Sequence, residues 1–130
     1  MAHPNEDRFR EGYELFGKGD LEILRKDYFT EDTVWHTSGN NALTGDARGI
    51  DEVMANFMKT FELSGGTFRA EVHDLLANDE HGGVIGNASA ERDGKKYAWK
   101  FTHIVHFRDG KVAESWVMTD EPEKPDAVFA

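Results

Sequence analysis

Residues 97–107 constrain the fold of this chain more than any other segment. Read with a period of two, Tyr97, Trp99, Phe101, His103, Val105 and Phe107 form one row. Lys96, Ala98, Lys100, Thr102, Ile104, His106 and Arg108 form the other. Such alternation predicts a long, half-buried β-strand, closed by a tight turn at Asp109-Gly110 and opened by another at Asp93-Gly94. Thirteen residues of straight strand would span roughly 40 Å, wider than a domain of this length, so the sheet has to bend. A bent sheet with helices against its inner face makes a cone. The small row Val84, Gly86, Ala88 and Ala90 on the preceding strand predicts either space opposite the aromatic row or close admission of the helices.

The remaining elements follow from caps and periodicity. A first helix is expected over 5–16, with Asn5 as N-cap and Phe9, Tyr13 and Phe16 on one face. A second is expected over 21–28 after Asp20, and a third over 51–63, with Val53, Met54, Phe57, Met58 and Phe61 on its apolar side. Strands are expected over 33–37, 67–77, 83–91, 96–108 and 111–119. On the 67–77 strand Phe68, Ala70, Val72 and Leu76 are expected to face inward. Residues 38–49 read as a loop and 121–130, with Pro122 and Pro125, as an irregular tail. Helices followed by an antiparallel meander define one α+β domain over 1–130, with its core in about 6–120.

Composition narrows the function. The formal charge of −10 repels phosphate backbones and anionic lipid, so neither nucleic acid nor membrane is an expected partner. Nine Phe, three Trp and three Tyr supply an aromatic core. With no cysteine there is no thiol nucleophile or thiolate metal site, which suits a cytoplasmic setting. The N-terminus lacks a secretion-signal pattern, and no apolar run reaches membrane-span length. A small apolar molecule is the expected partner.

Four separated segments carry a resemblance: Gly19-Asp20-Leu21-Glu22; Tyr28-Phe29-Thr30-Glu31-Asp32-Thr33-Val34-Trp35-His36; Gly45-Asp46-Ala47-Arg48-Gly49-Ile50-Asp51-Glu52-Val53; and Phe107-Arg108-Asp109-Gly110-Lys111-Val112-Ala113-Glu114-Ser115-Trp116. The chain resembles the SnoaL-like branch of the nuclear transport factor 2-like (NTF2-like) superfamily, which includes polyketide cyclases and relatives of ketosteroid isomerase. The resemblance implies a cone-shaped curved sheet packed against three N-terminal helices. It also implies a homodimer through the convex face, where Ile104 and Trp116 would lie. It places His36 where the steroid isomerases carry their aspartate base, and His103 where they carry a protonated aspartic acid of the oxyanion hole. Their oxyanion tyrosine falls at Gly12, beside Tyr13. Cyclases of the family carry an acidic base on the last strand, near Glu114 and Asp120.

His36 and His103 are thus the candidate catalytic pair. A neutral imidazole is a competent general base near pH 7, and two in one dry cone resist double protonation. Each is also readable as a core histidine tied off by a carbonyl or a tyrosine. Tyr13, Trp35, Met54, Phe57, Met58, Trp99 and Phe101 are the expected ligand-binding residues, although such side chains also build ordinary cores. His36, His103 and a carboxylate could be imagined around a metal, but no close His-x-His or Glu-x-x-His pairing supports one, so no metal and no cofactor are expected. Two functions remain. One is a cofactor-free isomerase, cyclase or lyase moving protons on an apolar carbonyl substrate. The other is a non-catalytic module of the same fold, holding a hydrophobic ligand or pairing with a second copy.

Overall fold

The computed structural model describes residues 3–130; Met1 and Ala2, the start of the stretch read for a secretion signal, lie outside them. Helix α1 (Pro4–Lys18) starts one residue earlier than its sequence signals suggest, because His3 is the cap. Its Nδ1 accepts the Asn5 N–H at 3.0 Å and its own N–H donates to Glu6 at 2.9 Å, a reciprocal box. Asn5, released from capping, donates instead to the Asn78 carbonyl at 3.0 Å and pins α1 to a distant hairpin. Gly19, at φ +75°, ends the helix in the left-handed region. Helix α2 (Leu21–Ile23) then widens into a π-helical turn (Leu24–Tyr28) that leads directly into strand β1 (Phe29–Thr37). That strand begins four residues before the expected one.

Within the predicted 38–49 loop lies β2 (Gly45–Arg48), which pairs antiparallel with β1 and sets His36 opposite Asp46. Helix α3 (Ile50–Leu63) matches expectation and buries Val53, Met54 and Phe57. Strands β3 (Arg69–Ala77), β4 (His81–Arg92), β5 (Lys95–Arg108) and β6 (Lys111–Met118) form the expected meander. Both β-turns place Asp and Gly at positive φ, as two-residue hairpins require: Asp93 at +53° with Gly94 at +79°, Asp109 at +53° with Gly110 at +78°. The sheet order is β2-β1-β6-β5-β4-β3, and β1 runs parallel to β6, so the sheet is mixed.

One inward assignment needs correction, and the small row divides between its two readings. A register irregularity between Val72 and Asp74 on β3 reverses the alternation behind it, so Leu75 is buried at 7% exposure while Leu76 is exposed at 75%. On β4, only Ala88 of the small row lines open space. Gly86 serves close approach instead: a Cβ there would meet the Phe101 ring at 2.5 Å and the Glu71 carbonyl at 2.6 Å.

The C-terminal segment is not irregular. Helix α4 (Glu123–Val128) folds over one end of the cone, burying Val128 and Phe129. Arg92 donates to the Val128 carbonyl at 2.6 Å, and Asp126 accepts from the Asn40 N–H and Asn41 Nδ2, each at 2.8 Å. The prolines are compatible with this helix: Pro122 caps it and Pro125 sits in its first turn, where no N–H donor is required.

Candidate functional site

The concave face of β1, β6 and β5, the inner faces of α1 and α3, and Phe129 enclose a cavity of about 180 Å³. Tyr13, Trp35, Phe57, Trp99 and Phe101 line it with His103, as the alternation on β5 and the helical face of α1 require. Met54 and Met58 do not. Met54 is buried on α3 outside the lining, and Met58 is 60% exposed because its turn of the helix points to solvent.

His103 is 4% exposed and sits among rings, with Trp35 at 4.8 Å and Phe9 at 5.3 Å between centroids. Its Nδ1 lies 2.7 Å from the Tyr13 hydroxyl, while Nε2 is buried without a partner. Burial lowers the imidazole pKa to about 3 and pushes the Tyr13 phenol upward, so both groups are neutral across ordinary pH. A neutral imidazole has one N–H and one lone pair, and the hydrogen-bond network assigns which nitrogen has which. If Nδ1 carried the proton, the phenolic hydrogen would have no acceptor and the Nε2 lone pair no donor. With the phenol donating to Nδ1, only the Nε2–H is left over. Tyr13 therefore fixes the Nε2–H tautomer, and the cavity holds a hydrogen-bond donor in search of an acceptor.

This changes the role expected of His103. A group titrating near pH 3 with its second nitrogen committed to a phenol is a poor general base and a good neutral donor. Among the described lining residues there is no aspartate or glutamate; the ionisable ones are Arg8, Tyr13, Tyr28 and His103.

His36 is not in the cavity. Thr33, Trp35 and Thr37 form the inner row of β1, so the alternation turns His36 to the convex face, and not into the cavity where the resemblance would place it. There its Nδ1 contacts Asp46 at 2.6 Å and its Nε2 contacts Glu114 at 2.7 Å, and the ring stacks on Trp116 at 5.3 Å. The Glu114 and then the Asp46 hydrogen bonds raise its pKa, and the imidazolium in turn lowers that of Asp46. Glu114 is thereby used as its partner on the outer face, and Asp120 is exposed outside the lining, so neither supplies a base to the cavity. The sheet separates His36 from His103, so they form neither a dyad nor a metal site; among the described residues no group of three ligating side chains could hold a metal. Ile104 and Trp116 do lie half-buried on the outer side, with His106 4.9 Å from the Trp116 ring.

Sequence reasoning overlooked the tautomer-setting part of Tyr13, whose partner is 90 residues away. It also overlooked Thr37, Leu43 and Phe129 in the lining. Only Thr37 left a local signal, two residues after Trp35 on the same strand.

The architecture is that of the NTF2-like class, an α+β cone shared by solved structures of such proteins. A profile of the SnoaL-like domain matches residues 9–115, and the chain belongs to that family. The uncharacterised protein Rv0034 of Mycobacterium tuberculosis (strain ATCC 25618 / H37Rv) is 28% identical over 126 residues, covering 95% of each chain. Bal32a, from a soil-derived mobile gene cassette, superposes with a TM-score of 0.91 at 28% identity, over 97% of this chain and 96% of that one. IdmH of Streptomyces antibioticus, described as a candidate polyketide cyclase, shares the fold at a TM-score of 0.77 and 20% identity, over 95% and 96%. No helix among the described residues is long and apolar enough to cross a membrane.

Proposed function

We propose that this chain takes a small, largely apolar carbonyl compound into its cone and polarises the carbonyl through the Nε2–H of His103, as a cofactor-free isomerase or cyclase. The observation that carries the reading is the unpartnered, enclosed Nε2 on an imidazole whose other nitrogen is engaged by Tyr13. A ligand carbonyl supplies the missing acceptor. In the surrounding apolar walls that hydrogen bond strengthens as negative charge grows on the oxygen, which is what enolisation and aldol-type ring closure require. The chain's contribution is electrophilic. With no carboxylate among the described lining residues, the proton removed from carbon passes to a water molecule, so the reaction suits substrates whose proton is already acidic between two carbonyls, as in polyketide-like molecules. That same lack favours a second reading, in which the cone binds such a compound without turning it over.

Two measurements test these readings. The infrared C=O stretch of bound 2-acetonaphthone is expected to lie below its value in hydrocarbon, and to return to that value in His103→Phe. An unshifted stretch in the wild-type protein would contradict carbonyl polarisation. Turnover is read from deuterium uptake at the central carbon of an aryl 1,3-diketone. Acceleration that falls about 10²–10³-fold in His103→Phe supports catalysis; a rate equal to that in buffer assigns binding alone.

A further inference from the structure

Among the described residues, five buried side-chain polar atoms have no partner: those of Thr30, Thr33, Thr37, His103 and Ser115. Three of them lie outside the cavity. The Thr37 hydroxyl and the His103 Nε2 belong to residues that line it. Sheet register relates the two. Thr37 on β1 pairs with Val117 on β6, and Val117 pairs with His103 on β5. The two residues thus occupy one cross-strand row on the concave face, with two strand spacings, roughly 10 Å, between their Cα atoms. Val117 between them also lines the cavity and is apolar. Two polar points therefore face one enclosed space across an apolar gap.

The points differ in kind. The His103 Nε2–H only donates, so it asks for an acceptor. The Thr37 hydroxyl can donate or accept, so a ligand hydroxyl can partner it in either sense. A buried polar group without a partner is unfavourable by an amount that a ligand recovers when it supplies one. A volume of about 180 Å³ admits a molecule on the order of a dozen heavy atoms.

We propose that Thr37 is a second, specificity-determining anchor of the cavity, so that the ligand is a hydroxy-ketone with its two oxygens at opposite ends of a compact apolar body about two rings long. This rests on the carbonyl reading of His103 above, and the test separates the two. The probes are 2-acetonaphthone and 6-hydroxy-2-acetonaphthone, identical except for a hydroxyl at the far end of the ring system. Calorimetric titration of the full chain is expected to show the hydroxylated ketone binding about tenfold more tightly. Thr37→Val, which keeps the shape and removes the hydroxyl, should erase that preference so that the two ketones bind alike; Thr37→Ser should retain it. His103→Phe should weaken both ketones together. If the wild-type protein binds both equally, or if Thr37→Val weakens both alike, the second anchor is wrong while the carbonyl reading stands. If neither ketone binds, both fall.

Discussion

Acidification from pH 6.5 to pH 3 is expected to remove about 5 kcal/mol of stability through His103 alone. In the unfolded chain this imidazole titrates near 6.5, whereas in the folded protein burial holds it near 3. Between those values the unfolded state takes up a proton that the native state refuses. The stability is thus complete above pH 6.5 and declines by about 1.4 kcal/mol for each unit of fall until pH 3. Since domains of this size hold about 5–15 kcal/mol in total, this is enough to approach acid unfolding. His103→Gln, neutral at every pH, should flatten the limb between pH 6.5 and 4.5 in urea titrations. Asp32, Asp46 and Glu121, whose pKa values are lowered by their partners, lose their contributions at lower pH and leave that window clear. His36 acts with the opposite sign. Its raised pKa makes its contribution complete below 6.5 and lost as pH climbs through the raised value, and its partial exposure keeps this to under about 1 kcal/mol. A limb of the same slope in wild type and His103→Gln would contradict the buried, neutral imidazole.

Phe129→Ala should be the most damaging of the single truncations at the cavity wall. The ring is 3% exposed, packs edge-on to Trp99 at 6.4 Å and lies 6.1 Å from Phe68, and it closes the end of the cone under α4. Emptying such a site costs about 3–5 kcal/mol. In a domain of this length that lowers the melting temperature by on the order of 10 °C. The widened cone should also bind more of an apolar dye such as anilinonaphthalene sulfonate than the wild-type protein does. A loss below about 1 kcal/mol in thermal and urea melts would show that the C-terminal segment is not part of the core.

What was legible in the sequence, and what was not, divides along physical lines. An unbroken alternation over β5 determined that His103 faces inward, because a period-two pattern with one aromatic row admits only one burial. Where a strand carries an irregularity the same logic misleads. The shift between Phe29 and Val34 hides the start of β1, and the shift between Val72 and Asp74 exchanges Leu75 for Leu76. His36 was placed by family register when the alternation through Trp35 sends it outward. Here local geometry decided against the resemblance. β2 is four residues long and only its pairing with β1 makes it a strand. The prolines of α4 read as an irregular tail, yet both sit where a short helix tolerates them, and what holds it is the burial of Val128 and Phe129. The site's central contact joins Tyr13 to His103 across most of the chain, and no local pattern encodes it.

The nitrogen spectrum of uniformly 15N-labelled protein reads the protonation of both His103 ring nitrogens. One histidine is expected with a protonated Nε2 and an unprotonated Nδ1, and it keeps this state down to pH 4. Tyr13→Phe should release the ring to a mixture of tautomers. A His103 ring that carries its proton on Nδ1, or that becomes doubly protonated near pH 6, would contradict the Nε2–H assignment.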